Sequence, residues 1–88
     1  MIKVYGADWC PLTKHTRAHL DRLGIAYDYI NIDYDREAAA WVASQNGGKE
    51  KKPTLDVDGQ VLTTPSNAEL DAVLREKGLY RQRGAASS

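Results

Sequence analysis

Asp58-Gly59 stands between Thr54-Leu55-Asp56-Val57 and Gln60-Val61-Leu62-Thr63, and this dipeptide limits the fold more than any other local feature of the chain. Asp and Gly both tolerate the positive φ values of a tight two-residue turn, so the segment predicts an antiparallel hairpin. Whatever architecture the chain adopts must place these two strands side by side. The remainder has to complete a sheet around them.

Ile2-Lys3-Val4-Tyr5 is a short β-like segment, and Gly6-Ala7-Asp8 can turn it toward a helix. Pro11 suits the first helical turn, because the N–H it lacks would have had no partner there. Leu12, Thr16, Leu20 and Leu23 recur at helical spacing, Ala18 admits close packing, and Gly24 is a natural stop, which predicts a helix over 11–23. Ile25 to Ile32 is rich in β-forming side chains and reads as the second strand. Asp33 or Asp35 can cap a following helix whose inner face is Ala38, Trp41, Val42 and Gln45, and Asn46-Gly47-Gly48 ends it. Lys49-Glu50-Lys51-Lys52 reads as a solvated loop. After the hairpin, Ser66 and Glu69 have the spacing of a reciprocal cap, Leu70, Val73 and Leu74 share one face, and Gly78 closes a last helix near Lys77.

The order is therefore strand, helix, strand, helix, hairpin, helix. A mixed four-stranded sheet flanked by three helices would bury these stripes. The 88 residues, 42% hydrophobic and 27% charged, fit one small domain, expected over 1–80, with a flexible tail over 81–88.

Charge and composition narrow the partners. Twelve Lys and Arg balance twelve Asp and Glu, so no global field gathers nucleic acid or an anionic membrane. No apolar run approaches the roughly 20 residues of a membrane span, and Met1-Ile2-Lys3-Val4-Tyr5 has no signal-peptide character. His15 and His19 share a helical face but are too few for a structural zinc site, so no metal is expected. A cytoplasmic monomer is the expectation.

The only cysteine, Cys10, lies in Trp9-Cys10-Pro11-Leu12-Thr13, at or just before the start of the first helix. Unpaired amides at a helix N-terminus favour the thiolate, which is the nucleophilic form. Backbone N–H groups near Leu12 and Thr13 can bond the sulfur. The Thr13 hydroxyl can donate to it as well, or serve only to satisfy local backbone polarity. With one cysteine, any disulfide formed by Cys10 joins it to another molecule.

Taken in order, several segments resemble the glutaredoxins of the thioredoxin-like superfamily, especially the mycoredoxin-like proteins. They are the Trp9 to Thr13 motif after the first strand, Asp33 at the end of the second, Asn46-Gly47-Gly48, Lys52-Pro53-Thr54, and Asp58-Gly59 followed by Leu62-Thr63-Thr64-Pro65-Ser66. The resemblance covers nearly the whole chain and implies a thioredoxin-like, glutaredoxin-type α/β fold.

It also implies thiol-disulfide oxidoreductase activity on mixed disulfides between proteins and a low-molecular-weight thiol, which acts as cosubstrate with no bound cofactor. Cys10 takes the place of the family's nucleophile. Thr13 stands where a dithiol enzyme carries its second cysteine, which makes the cycle monothiol. Pro53 falls on the family's proline facing the redox motif, so Lys52-Pro53 is the expected cis bond, and the backbone at Lys52 would hold the thiol substrate. Thr64, Ser66 and Asn67 are further thiol-binding candidates, while Trp9, Pro11 and Leu12 support the motif, Trp9 either as a rim over the sulfur or by packing the loop.

Ala7 replaces a lysine common in glutaredoxins, and Thr64-Pro65-Ser66-Asn67 replaces their Gly- and Asp-rich segment. These departures favour mycothiol over glutathione. Pro11 also disfavours a shared iron-sulfur cluster. The competing reading is a redox-inactive or sensor-type binding module on the same scaffold.

Overall fold

The computed structural model describes residues 1–80. The tail expected over 81–88 falls outside the described residues. Seven elements occur in chain order: β1 Ile2–Gly6, α1 Pro11–Leu23, β2 Asp28–Asn31, α2 Arg36–Gln45, β3 Thr54–Val57, β4 Gln60–Thr63 and α3 Asn67–Glu76. Strand order in the sheet is β2-β1-β3-β4. β1 runs parallel to β2 and antiparallel to β3, and β3 and β4 form the Asp58-Gly59 hairpin in the register Val57↔Gln60. Asp58 and Gly59 take φ of 49° and 93°, as the turn requires.

Alternation along β1 separates two cores. Ile2 and Val4 face one side with Leu55 and Val57 of β3, and there they meet Leu20 of α1 and Leu70, Val73 and Leu74 of α3. Tyr5 faces the other side, where Ala39 and Val42 of α2 pack with Ile32. Burying each such aliphatic side chain contributes roughly 1.5–3 kcal/mol. His19 of α1 bonds Asp71 of α3 at 2.7 Å and ties the two helices of the first layer together.

The helix boundaries follow local chemistry. Gly24 adopts φ 70° past the end of α1 and returns its N–H to Asp21. The Asp35 carboxylate, rather than Asp33, caps α2 by accepting from the Ala38 N–H at 3.0 Å. Ser66 and Glu69 form the reciprocal cap of α3, with Ser66 Oγ accepting from the Glu69 N–H and Glu69 Oε1 from the Ser66 N–H.

Three expectations are corrected. The second strand begins at Asp28 rather than Ile25, because its ladder with β1 starts at Lys3↔Asp28 and the chain before it is still leaving the end of α1. Ile25 is instead turned into the core as its N–H bonds the Leu20 carbonyl. On α1 the buried stripe is Thr13, Thr16 and Leu20, whereas Leu12 and Ala18 face solvent. The 13, 16, 20 spacing holds one face more closely than a stripe begun at Leu12. On α2, Gln45 is exposed and Ala39 takes its place on the inner face.

Candidate active site

β1 ends in a buried glycine, and the chain then turns so that the Cys10 N–H bonds the Ala7 carbonyl at 3.1 Å. This turn sets Cys10 as the N-cap of α1, in extended backbone with φ −80° and ψ 118°, and the Cys10 carbonyl accepts the first helical bond from Lys14. Pro11 opens the helix. Its missing N–H leaves Leu12 and Thr13 as the first amides able to serve the sulfur.

Cys10 is 7% exposed, so little of the residue meets solvent. As a neutral group it makes no close bond to the helix amides, and its S–H is directed to the Lys52 carbonyl at 3.9 Å. Ionisation removes that donor and brings the other partners into play. Burial pushes the thiol up, but the Thr13 N–H, the Thr13 hydroxyl and the Leu12 N–H, together with the Lys52 charge, outweigh burial and hold Cys10 below the ordinary thiol value of 9.0.

Thr13 is fully buried, and its Oγ1 accepts from the Ala7 N–H at 3.4 Å, which meets local backbone polarity, while its N–H and hydroxyl are among the groups that lower the Cys10 thiol. Gly6 makes this possible. A Cβ there would stand 2.5 Å from both Thr13 Oγ1 and Cγ2, a separation no packed side chain tolerates. Sequence reading assigned Gly6 to the turn alone, and nothing in the neighbouring residues signals the close approach of Thr13.

The Lys52-Pro53 peptide is cis, and Pro53 is buried. The Pro53 carbonyl accepts from the Thr64 N–H at 2.8 Å, which brings Thr64 beside the proline in left-handed backbone with φ 43°. Asn46 braces this region through Thr54 Oγ1 at 3.2 Å and Thr63 Oγ1 at 2.5 Å. Cys10, Thr13, Lys52, Pro53 and Thr64 are thus linked by successive contacts. Ser66 and Asn67 follow at the start of α3, where Ser66 is engaged with Glu69 and no hydrogen bond among the described residues ties either to the sulfur.

Trp9 is 62% exposed and belongs to neither core cluster. Its indole N–H donates to Asp33 at 2.8 Å, and the Lys52 ammonium lies 5.3 Å from its ring centroid. A second tether joins the same loop to β2, since the Tyr29 hydroxyl donates to Asp8 at 2.8 Å. Leu12, 55% exposed, offers its backbone to the sulfur while its side chain faces outward. His15 is exposed, His19 is taken up by Asp71, and among the described residues no cluster of three metal-ligating side chains occurs.

This arrangement of cysteine, helix start and facing proline agrees with what comparison with known proteins finds. The family model described as Glutaredoxin matches residues 2–62. Mycoredoxin 1 of Corynebacterium glutamicum is 40% identical over 72 residues, covering 81% of this chain and 89% of that protein. Among solved structures, glutaredoxin grx-1 of Archaeoglobus fulgidus superposes with a TM-score of 0.74 at 23% identity, over 84% of this chain and 85% of that one. The thioredoxin-like protein BC3987, in a mutant form, gives 0.76 at 23% identity, over 84% and 94% of the two chains. These two carry the fold, and the family match and the mycoredoxin carry the chemistry: the chain belongs to the glutaredoxin family and is a thiol-disulfide oxidoreductase.

Proposed function

We propose that the protein reduces mixed disulfides between proteins and a low-molecular-weight thiol by a monothiol cycle at Cys10, with mycothiol favoured over glutathione as the thiol. The observation that carries this reading is a lone cysteine at the N-cap of α1, with buried Thr13 standing where a second cysteine would be. The helix start at Leu12 and Thr13 and the Lys52 charge favour the ionised sulfur, which is the form a nucleophile needs.

In the first step the Cys10 thiolate attacks the sulfur of the low-molecular-weight thiol within the mixed disulfide. That S–S bond breaks, its electron pair goes to the protein sulfur, which takes up a proton, and Cys10 is left disulfide-bonded to the small thiol. A second molecule of the thiol, as thiolate, attacks the small-thiol sulfur of this adduct. Its product is the symmetric small-molecule disulfide, and the electron pair returns to Cys10. An external reductase recycles the small disulfide.

In this reading Trp9 screens one side of the sulfur, and Pro11, Leu12 and Pro53 shape its approach. Lys52 meets the substrate with its backbone and charge, while the exposed Thr64 hydroxyl, the O–H that Ser66 still has to donate, and the half-buried Asn67 offer polar contacts to a sugar-bearing thiol. The preference for mycothiol is supported by Ala7, by Thr64-Pro65-Ser66-Asn67, and by the likeness to a protein named mycoredoxin. A monomer in a reducing cytoplasm suits a thiol that must stay free.

The test is steady-state reduction of mycothiol- and glutathione-mixed disulfides, each with its own reductase system, for the parent and Cys10→Ser. The expected result is Cys10-dependent turnover that is faster with mycothiol. Turnover confined to glutathione would overturn the thiol assignment, and no turnover with either would overturn the cycle.

A further inference from the structure

The sheet face that carries α2 is only partly covered. Tyr5 of β1, Ile30 of β2 and Trp41 of α2 lie within a groove of about 590 Å³, in the range of sites that accept small ligands or peptide side chains. The two aromatic rings of this groove pack with centroids 4.7 Å apart and planes at 33°. None of its lining residues belongs to the sulfur site.

The rim has one dominant sign. Asp28, Asp35 and Glu37 face Lys3 alone, and none of the three carboxylates takes part in an ion pair among the described residues. Asp35 spends one oxygen on the Ala38 N–H, which leaves the other free. Asp56 adds to the field from its position opposite Lys3 in the β1–β3 register. The Tyr5 hydroxyl responds to these surroundings: burial, then the charges of Asp56 and Asp35, push it upward. In a chain with no net charge, this is a local negative pocket with an aromatic side.

β2 lies at the edge of the sheet, so its outer backbone groups have no strand partner among the described residues. An edge of this kind can accept an added extended segment, whose alternate side chains then reach the adjoining face.

We infer that this groove docks an extended, arginine-bearing segment of a partner protein. A guanidinium is planar and stacks on aromatic faces, while its forked N–H groups meet carboxylates two at a time. Tyr5 and Trp41 supply the first kind of partner, and Asp28, Asp35 and Glu37 the second. A lysine ammonium is a point charge that cannot stack in this way, and anionic partners are repelled.

The test is a titration of the full-length, nitrogen-15-labelled protein with the blocked peptide acetyl-Gly-Arg-Gly-Arg-Gly-amide and its lysine counterpart, followed by amide and indole shifts. The expected result is saturable shifts at Tyr5, Ile30 and Trp41 with the arginine peptide and weaker binding of the lysine peptide. The paired change Asp28→Asn and Glu37→Gln, at two exposed positions, is expected to weaken arginine-peptide binding roughly five-fold with turnover at Cys10 unchanged. Absence of saturable shifts, equal affinity for both peptides, or no effect of the paired change would overturn the proposal. So would groove shifts that depend on protein concentration, which assign the site to a second copy, or groove shifts caused by Arg81→Gln with Arg83→Gln in the absence of peptide, which assign it to the chain's own arginines.

Discussion

Replacing Gly6 with alanine adds one methyl group at the point where β1 meets α1. That carbon would stand 2.5 Å from Thr13 Cγ2 and Oγ1 and 3.1 Å from its Cβ. Unstrained carbon contacts lie at about 3.5–4.0 Å, so the overlap with the threonine is about 1 Å. Thr13 is fully buried in a helix, where a β-branched side chain has few alternative rotamers to escape into. Overpacking of this kind costs about 1–3 kcal/mol. Gly6 does not have positive φ, so its backbone is open to alanine and the collision is the whole of the penalty.

Removing the two clashing atoms should therefore remove the cost. In a Thr13→Ala background the nearest contact becomes the 3.1 Å approach to Cβ, which a shift of a few tenths of an ångström relieves. Gly6→Ala there should be near neutral, or should stabilise by about 0.4–1 kcal/mol through the restricted unfolded chain. The assay is urea denaturation of the parent, both single variants and the double variant, giving a coupling of at least about 1 kcal/mol. If Gly6→Ala costs the same in both backgrounds to within about 0.5 kcal/mol, the two sites are independent and the steric reasoning is refuted.

Four further outcomes follow from the structure. Iodoacetamide alkylation of Cys10 should titrate below an ordinary thiol; Thr13→Ser should retain this behaviour, and Thr13→Val should move the midpoint upward. Because the folded state holds the thiol low, the unfolded state binds more protons between the folded value and the ordinary 9.0, so the stability advantage of the parent over Cys10→Ser should grow as pH rises through that window and fade as pH falls through the folded value; urea melts at stepped pH read it directly. Leu20→Ala should cost about 2–5 kcal/mol and Leu12→Ala less than about 0.5 kcal/mol, by the same melts, since one is buried in the core and the other faces solvent. Ser66→Ala should cost about 1 kcal/mol and lower the thermal midpoint by roughly 4–8 °C, because the Glu69 N–H loses its acceptor.

Features set by neighbours in the chain were legible from the residues. The Asp58-Gly59 turn, the Pro11 helix start, the Gly24 stop and the Ser66–Glu69 cap each depend on a few adjacent side chains, and all appear where those side chains place them. The start of β2 was not legible, because Ile25 is β-forming in type while its N–H is drawn back to the Leu20 carbonyl at the end of α1, a contact that residue type does not signal. The inner face of α1 was misread at Leu12 because a large aliphatic side chain outweighs a threonine on any hydropathy reading, yet the tight space beside Gly6 admits Thr13. At the sulfur, the place of Cys10 at the helix start could be read locally, and the cis proline by family resemblance. The tethers of the loop to Asp33 and Tyr29 could not, since they join residues brought together only by strand pairing.

The donors directed at Cys10 act in both directions of exchange. A sulfur whose negative charge is welcomed by Thr13 and Leu12 is also a sulfur that departs readily when an adduct is attacked, because bond breaking returns the charge to the same amides and hydroxyl. The disulfide form, being neutral, draws less from those donors than the thiolate does. In the proposed cycle an adduct on Cys10 should therefore be released more readily than one on an ordinary thiol, because the groups that favour attack by this sulfur also favour its departure.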